Sequence, residues 1–451
     1  MPGQVSMARL FAVLLLASLA ACGTATSAQV PDPFQVRALL IARDFDALEV
    51  LLDSSRPEAE LEALYGAFAT TDPALVEPLE DWVHARNDSA IPLLARAYFA
   101  EHRQKVYWRS EGRKNRPRGY RHTHAWSGTG APGPDAKLAM KRDRKQTLAM
   151  RIILTAKGPG GFGPDTLDTV ISQAPNSPAV YWAYLFNLGS WFQGWGHEGN
   201  AFLRNYVRSA PNQTEMRPLY GFPHYAEAWN ANSMRKFAHA LAHVNEALSN
   251  GEHPEYLSLR IAINAALHRH QDMLLDYDRL LQLAPYDAEV LDWRAQLLYW
   301  QLDDPEAAYA GWDLALRLDP LNPRILTHRA DALYKDERYD EAMADLEEAL
   351  AYNIGDPSLH HRRAQTLIFG LEDYRRALEE TALSLSVPEQ YNPVWGESWY
   401  LQGYALDKLG DCAALPAFDT YVEHCAAKDC NEERLTHARA RLAASGPACP
   451  H

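Results

Sequence analysis

The chain has 451 residues, a net charge of −14 and 47% hydrophobic residues. That length suits about three domains or one extended array, and the composition excludes a wholly disordered or collagen-like chain. A single apolar run, Leu10 to Ala21, approaches membrane length. It is too short to span a bilayer as a mature helix, so a polytopic membrane protein is excluded. Charge is placed unevenly: residues 102–151 hold 14 Lys+Arg against 3 Asp+Glu, whereas residues 271–356 hold 7 basic against 20 acidic groups. The two regions either neutralise each other in part or face solvent.

Residues 1–30 join a short start carrying Arg9 to an apolar stretch and then to small residues, the build of an export signal. Leu19-Ala20-Ala21-Cys22-Gly23 resembles the lipobox of bacterial lipoproteins. The resemblance implies cleavage before Cys22, acylation of its thiol and, with Gly23 rather than Asp next, delivery to the outer membrane facing the periplasm. Attached acyl chains anchor stably because each buried methylene contributes about 0.8 kcal/mol. The alternative is a soluble periplasmic protein cut after Ala28.

Helical spacing then runs nearly throughout, and no segment sustains strand-like alternation. Residues 31–249 form a helical domain of unknown function, interrupted by a Gly/Pro/Arg/His-rich loop over 112–134 and a glycine-rich break over 158–164. Its order of helices around Trp82, Trp108 and Arg109 is similar to an uncharacterised bacterial family, which transfers no functional residue. The glycine-rich break formally matches a dinucleotide fingerprint, but the preceding residues are charged and helix-patterned instead of a buried strand. The basic loop, including His122 and His124, interleaves Arg with aromatics. After an export signal its available polyanions are lipid headgroups, lipopolysaccharide or acidic proteins, not nucleic acid. Residues 181–229 are rich in aromatics (Trp182, Trp191, Trp195, Tyr225, Trp229), which either fill gaps between helices or stack on sugars.

Over 254–425 a repeat appears. Leu326, Arg329, Ala330, Leu333, Ala342, Leu346 and Ala349 are echoed by Ala295, Leu298, Ala308, Trp312 and Ala315 before them. Ala364, Leu367, Ala377, Gly403, Leu406, Ala414 and Phe418 follow in register. This resembles the tetratricopeptide repeat, a 34-residue helix-turn-helix whose units bury their apolar faces only by stacking. The expected fold is all-α: the helical domain, then a tetratricopeptide-like α-solenoid, then a disulfide-tied capping helix over 426–451. In such arrays the inner helices line a groove that takes peptides. The resemblance places Trp293, Tyr299, Arg324, His328, Tyr334, His361, Arg362 and Gln365 there. The Lys/Asn set that clamps a C-terminal carboxylate in some members is missing, with His328 and Asp331 in its place.

Four cysteines close the chain, and an even set in an exported protein reads as two disulfides. Cys412 and Cys425 on one helix would sit about 20 Å apart, too far to bond. A returning helix pairs Cys425 with Cys430 and Cys412 with Cys449. No Cys-x-x-Cys pair supports zinc, and no nucleophile, metalloprotease or phosphate-loop string occurs. The sequence therefore reads as a non-catalytic scaffold without cofactor or metal, holding a protein or peptide partner at the cell envelope. The alternative is a binder of envelope carbohydrate or lipopolysaccharide through residues 181–229.

Overall fold

The computed structural model describes residues 32–53, 56, 58–110, 132–142, 171–172, 174–188, 201–352, 355–426 and 428–444. The leader with Cys22, the basic loop up to residue 131, the glycine-rich break, Trp191, Trp195 and Cys449 lie outside these residues, and the end of the expected loop, residues 132–134, is instead the first turn of a helix. Among the described residues every regular element is a helix. The first six are α1 (Pro33–Ile41), α2 (Phe45–Leu51), α3 (Glu58–Tyr65), α4 (Val76–Ala85), α5 (Ile91–Ser110) and α6 (Pro132–Arg142). They enclose a core of Leu40, Leu64, Phe68, Trp82, Leu94 and Phe99.

After α7 (Pro178–Leu188) and the single turn α8 (Gln213–Met216), helices pair as hairpins: α9 (Phe222–Ser233) with α10 (Phe237–Asn250), then α11 (Pro254–Ala266) with α12 (His270–Leu283). The next pairs are α13 (Ala288–Gln301) with α14 (Pro305–Leu318), and α15 (Pro323–Lys335) with α16 (Tyr339–Tyr352). Then come α17 (Pro357–Phe369) with α18 (Tyr374–Leu385), α19 (Trp395–Lys408) with α20 (Ala414–Cys425), and a lone α21 (Glu432–Ala443).

The joints repeat as faithfully as the helices. Arg235, His268, Asp303, Glu337, Glu372 and Gly410 stand 33 to 38 residues apart, one in each hairpin turn, all with φ between 53° and 72°. Each closes its first helix by a reversed-turn bond from the next residue, as in Lys236 N to Ala231 O and Arg338 N to Leu333 O, both 2.9 Å. Asp or Asn then starts the following inner helix: Asp287, Asn322 and Asp356 accept backbone N–H groups at 2.8–3.1 Å. The proline after Asn322 or Asp356 supplies a preset first helical residue. Small residues set the crossings. At Gly403 a Cβ would lie 2.9 Å from the Phe418 ring, and Gly311 sits against Ala295.

Packing shows no break at residues 249–254. Phe222, Tyr225, Val244 and Ala247 share one cluster with Tyr256, Leu259 and Ile263, so the hairpin α9–α10 continues the array. At the other end α21 stands where the first helix of a further unit would stand. It buries only Ala438 and presents a charged outer face, the mark of a cap. The bond expected at the preceding turn, Cys425–Cys430, is present. Cys412 is also disulfide-bonded, and it lies in the turn before α20 instead of on that helix.

A buried polar contact helps tie the first helices to the array. Asp319, fully buried between α14 and α15, accepts from Thr71 N (2.6 Å) and Thr71 Oγ1 (2.5 Å). It also meets His102 Nε2 (2.8 Å) and Asn322 Nδ2 (2.8 Å), while Leu321 N donates to Thr71 Oγ1 (3.1 Å). Burial alone would raise the Asp319 carboxyl, but His102, Thr71 and Asn322 outweigh it and hold the group below its ordinary range. Phe34 lies under the Arg317 guanidinium at 4.7 Å beside the same edge. Asp319, at the junction of two repeat units, is thus also a docking point.

Candidate functional site

At three of the junctions the first helices of successive hairpins touch each other (α9 with α11, α13 with α15, α17 with α19), and no comparable packing joins second helices at any of them. The first helices therefore line the inner, concave wall and the second helices the outer face. The expected groove residues lie on this wall or just behind it, and the structure sorts them.

Trp293 is 45% exposed, and the Arg324 guanidinium stacks on its ring at 4.4 Å. Behind them Asp292, 1% exposed, takes Trp312 Nε1 at 3.0 Å and His328 Nδ1 at 2.9 Å. A carboxylate only accepts, so His328 donates through Nδ1 and its neutral form keeps the Nε2 lone pair free. Arg324 Nε is 3.9 Å from Asp292, beyond hydrogen-bond reach, and its buried Nη2 has no acceptor. Tyr334 is half-buried and hydrogen-bonded to Gln365.

Three expected wall residues are spent inside the array. Tyr299 is 5% exposed and donates to Asp336 Oδ1 at 2.6 Å, which together with burial pushes its phenol upward. Arg362 is committed to Asp331 through two bonds of 2.7 and 3.0 Å. His361 is buried behind the wall with Nδ1 3.0 Å from Ser398 Oγ. Ser398 Oγ meets Ser384 Oγ at 2.9 Å, and Ser384 donates to Pro357 O at 3.0 Å. Each hydroxyl has one proton, so Ser384 gives to the carbonyl, Ser398 to Ser384, and His361 must donate through Nδ1. Burial, then the Arg434 and Arg362 charges, pushes the imidazole down to about 3. The physical reason is common to all three: a closely stacked array needs polar ties between units, and these residues supply them.

The wall also carries groups that sequence reading passed over. Trp300 is 44% exposed, with Lys335 Nζ 4.9 Å above its ring and equally above Tyr299. Phe369 sits 5.1 Å from Tyr404, on which Lys408 lies at 5.3 Å. The signal was available: Trp300 follows Trp293 by seven residues, two turns along one helix face. Lys335 and Phe369 each follow at the repeat interval.

The aromatic segment differs in its described part. Tyr181, Phe222 and Tyr225 are buried, and Trp182 stacks on His253 at 3.7 Å within the same core. Trp229 alone among these rings is strongly exposed. These described rings are mainly core, which leaves little of a sugar platform in them.

No protein-family model matches the sequence, and a search of curated proteins finds no relative. Solved structures align with parts of the chain. PilW, described as a widely conserved type IV pilus biogenesis factor, aligns with a TM-score of 0.41 and 18% identity over 48% of this chain and 98% of its own. A tetratricopeptide repeat protein from Parabacteroides merdae gives 0.40 and 18% over 58% and 99%. YrrB, described as having an unusual peptide-binding site, gives 0.34 and 14% over 47% and 97%. The stacked hairpins, their near-34-residue interval and their shared inner wall make a tetratricopeptide-like architecture.

Proposed function

We propose that this chain is a non-catalytic scaffold that holds a protein or peptide partner against the inner wall of its array, at the bacterial cell envelope. The observation that carries the reading is the set of large apolar side chains left open on that wall: Trp293, Trp300 and Phe369, 45%, 44% and 37% exposed. Tryptophan beside arginine is a favoured pairing where proteins bind one another. The polar ties behind the wall hold these rings in place before any partner arrives, which lowers the ordering cost of binding.

Export and anchoring through acylated Cys22 rest on the leader, and the Cys425–Cys430 disulfide suits an oxidising compartment. Affinity purification from detergent-solubilised envelope tests the scaffold: a defined protein should co-purify, and the Trp293→Ala, Arg324→Gln double variant should lose it while keeping its helical circular dichroism. Labelled fatty acid should enter the protein and fail to enter Cys22→Ala. Unchanged recovery by the double variant would remove the groove from the reading.

A further inference from the structure

Around Trp293 and Trp300 the carboxylates of the inner wall are already engaged, while three cations keep no hydrogen bond to one. Asp292 is saturated by Trp312 and His328, Asp331 by Arg362, and Asp336 by the hydroxyls of Tyr299 and Tyr309 (2.6 and 2.8 Å). Glu397 is taken by Arg434 and by Tyr421, and Asp407 by Arg441. Three cations on the same wall make no hydrogen bond to a carboxylate and lie on aromatic faces instead: Arg324 on Trp293, Lys335 on Trp300 and Tyr299, Lys408 on Tyr404. Lys335 and Lys408 are exposed. By contrast, many of the acidic groups of residues 271–356 sit on second helices or in turns, among them Asp303, Asp304, Glu306, Asp313, Glu341, Glu347 and Glu348. Between Trp293 and Lys335 the wall is therefore cationic and aromatic, with many carboxylates of the same units on the outer helices.

From this we infer that the occupant of the wall is an extended acidic peptide segment, whose carboxylates reach Arg324 and Lys335 while its apolar side chains cover Trp293 and Trp300. This rests on the scaffold reading above and specifies the partner. A cation held flat on a ring is positioned by it, and a carboxylate arriving at the exposed Lys335 ammonium or beside the Arg324 guanidinium adds a charge-assisted bond without displacing the ring. The two stations are about 10 Å apart by the tryptophans and about 16 Å by the cations, from seven and eleven residues at 1.5 Å each. At about 3.3 Å per extended residue, the matching carboxylates stand three to five residues apart. This differs from a terminal-carboxylate clamp, because both anions come from within the segment.

The test uses the full chain and an array of fluorescent synthetic peptides with amidated C-termini, in which paired Glu residues four apart flank Leu or Phe. Gln-substituted and Lys-substituted copies accompany each peptide. We expect Glu peptides to bind with the Gln copies about tenfold weaker, and Arg324→Gln or Lys335→Gln to remove most of that difference. Raising salt should weaken the Glu peptides most, as partly exposed charges require. Lys335 is exposed, so its variant leaves folding intact and serves as the safer of the two. Peptides that bind regardless of charge, lost with Trp293→Ala but unaffected by Lys335→Gln, would overturn the acidic assignment and leave the scaffold standing. Binding by none of the peptides, together with failure of the purified native partner to depend on Trp293, would overturn both.

Discussion

Removing the Arg329 guanidinium while keeping its stem, as in Arg329→Met, probes what holds each hairpin shut. Arg329 donates Nε and Nη2 to the two oxygens of Asp345 (2.8 and 2.7 Å) and Nη1 to Asp313 (2.6 Å). The Asp313 side chain is 65% exposed, so that leg contributes about 0–1 kcal/mol. Asp345 is 5% exposed. Stripping a buried carboxylate of its partner costs about 3–5 kcal/mol, and partial access of water to the arginine places the loss near the low end, about 3 kcal/mol. The double variant Arg329→Met, Asp345→Leu removes both charges and should return to within about 1 kcal/mol of the parent. Urea unfolding followed by circular dichroism, with hydrogen exchange over residues 323–352 to catch local opening, measures both. A loss below 1 kcal/mol in the single variant, or simple additivity in the double, would refute the reasoning. Arg260 with Asp276 and Arg363 with Glu380 repeat the arrangement, so the same cycle applies there.

Acid should loosen the array through His361. Its folded value of about 3 lies below the ordinary 6.5 of an unfolded histidine, so the unfolded chain binds the extra proton between those values. Stability is therefore complete above about pH 6.5 and falls as pH drops, by about 2 kcal/mol at pH 5. His361→Gln should flatten that slope, and an unchanged slope would remove His361 as its source. Asp319→Ala should free residues 32–142 from the array, costing about 3 kcal/mol for the donors left without an acceptor. Limited proteolysis reads it: equal resistance of parent and variant would refute the docking role. Glu337→Gly relieves a left-handed turn residue, and after the added chain entropy of glycine it should raise stability by about 0.5–1 kcal/mol. A lower melting temperature would show that the Glu337 side chain matters more than its backbone.

Much of the array was legible because its interval is written in residues that tolerate little else. Ala330 and Ala342 must be small for two helices to cross, and Leu346 must fill the space to the next unit. The arginines at 260, 294, 329 and 363 carry the same interval in charge, each tied to an outer helix. The turn residues were harder to read. Arg235, His268, Asp303 and Glu337 share a backbone conformation but no side-chain chemistry, so the hairpin at 222–250 escaped notice as a repeat.

Sequence alone determined the helical class, the repeat interval and the cysteine pair at 425 and 430, since each follows from local spacing. Which wall residues remain open was decided only by the tertiary structure. Tyr299 and Trp300 are neighbours in sequence on one helix, yet one is buried and tied to Asp336 while the other is open. Asp319 likewise has its fate fixed by Thr71 and His102, more than 200 residues away. Periodicity places a residue on a helix face, but exposure depends on what the next unit brings opposite it, and that is a property of the packed chain.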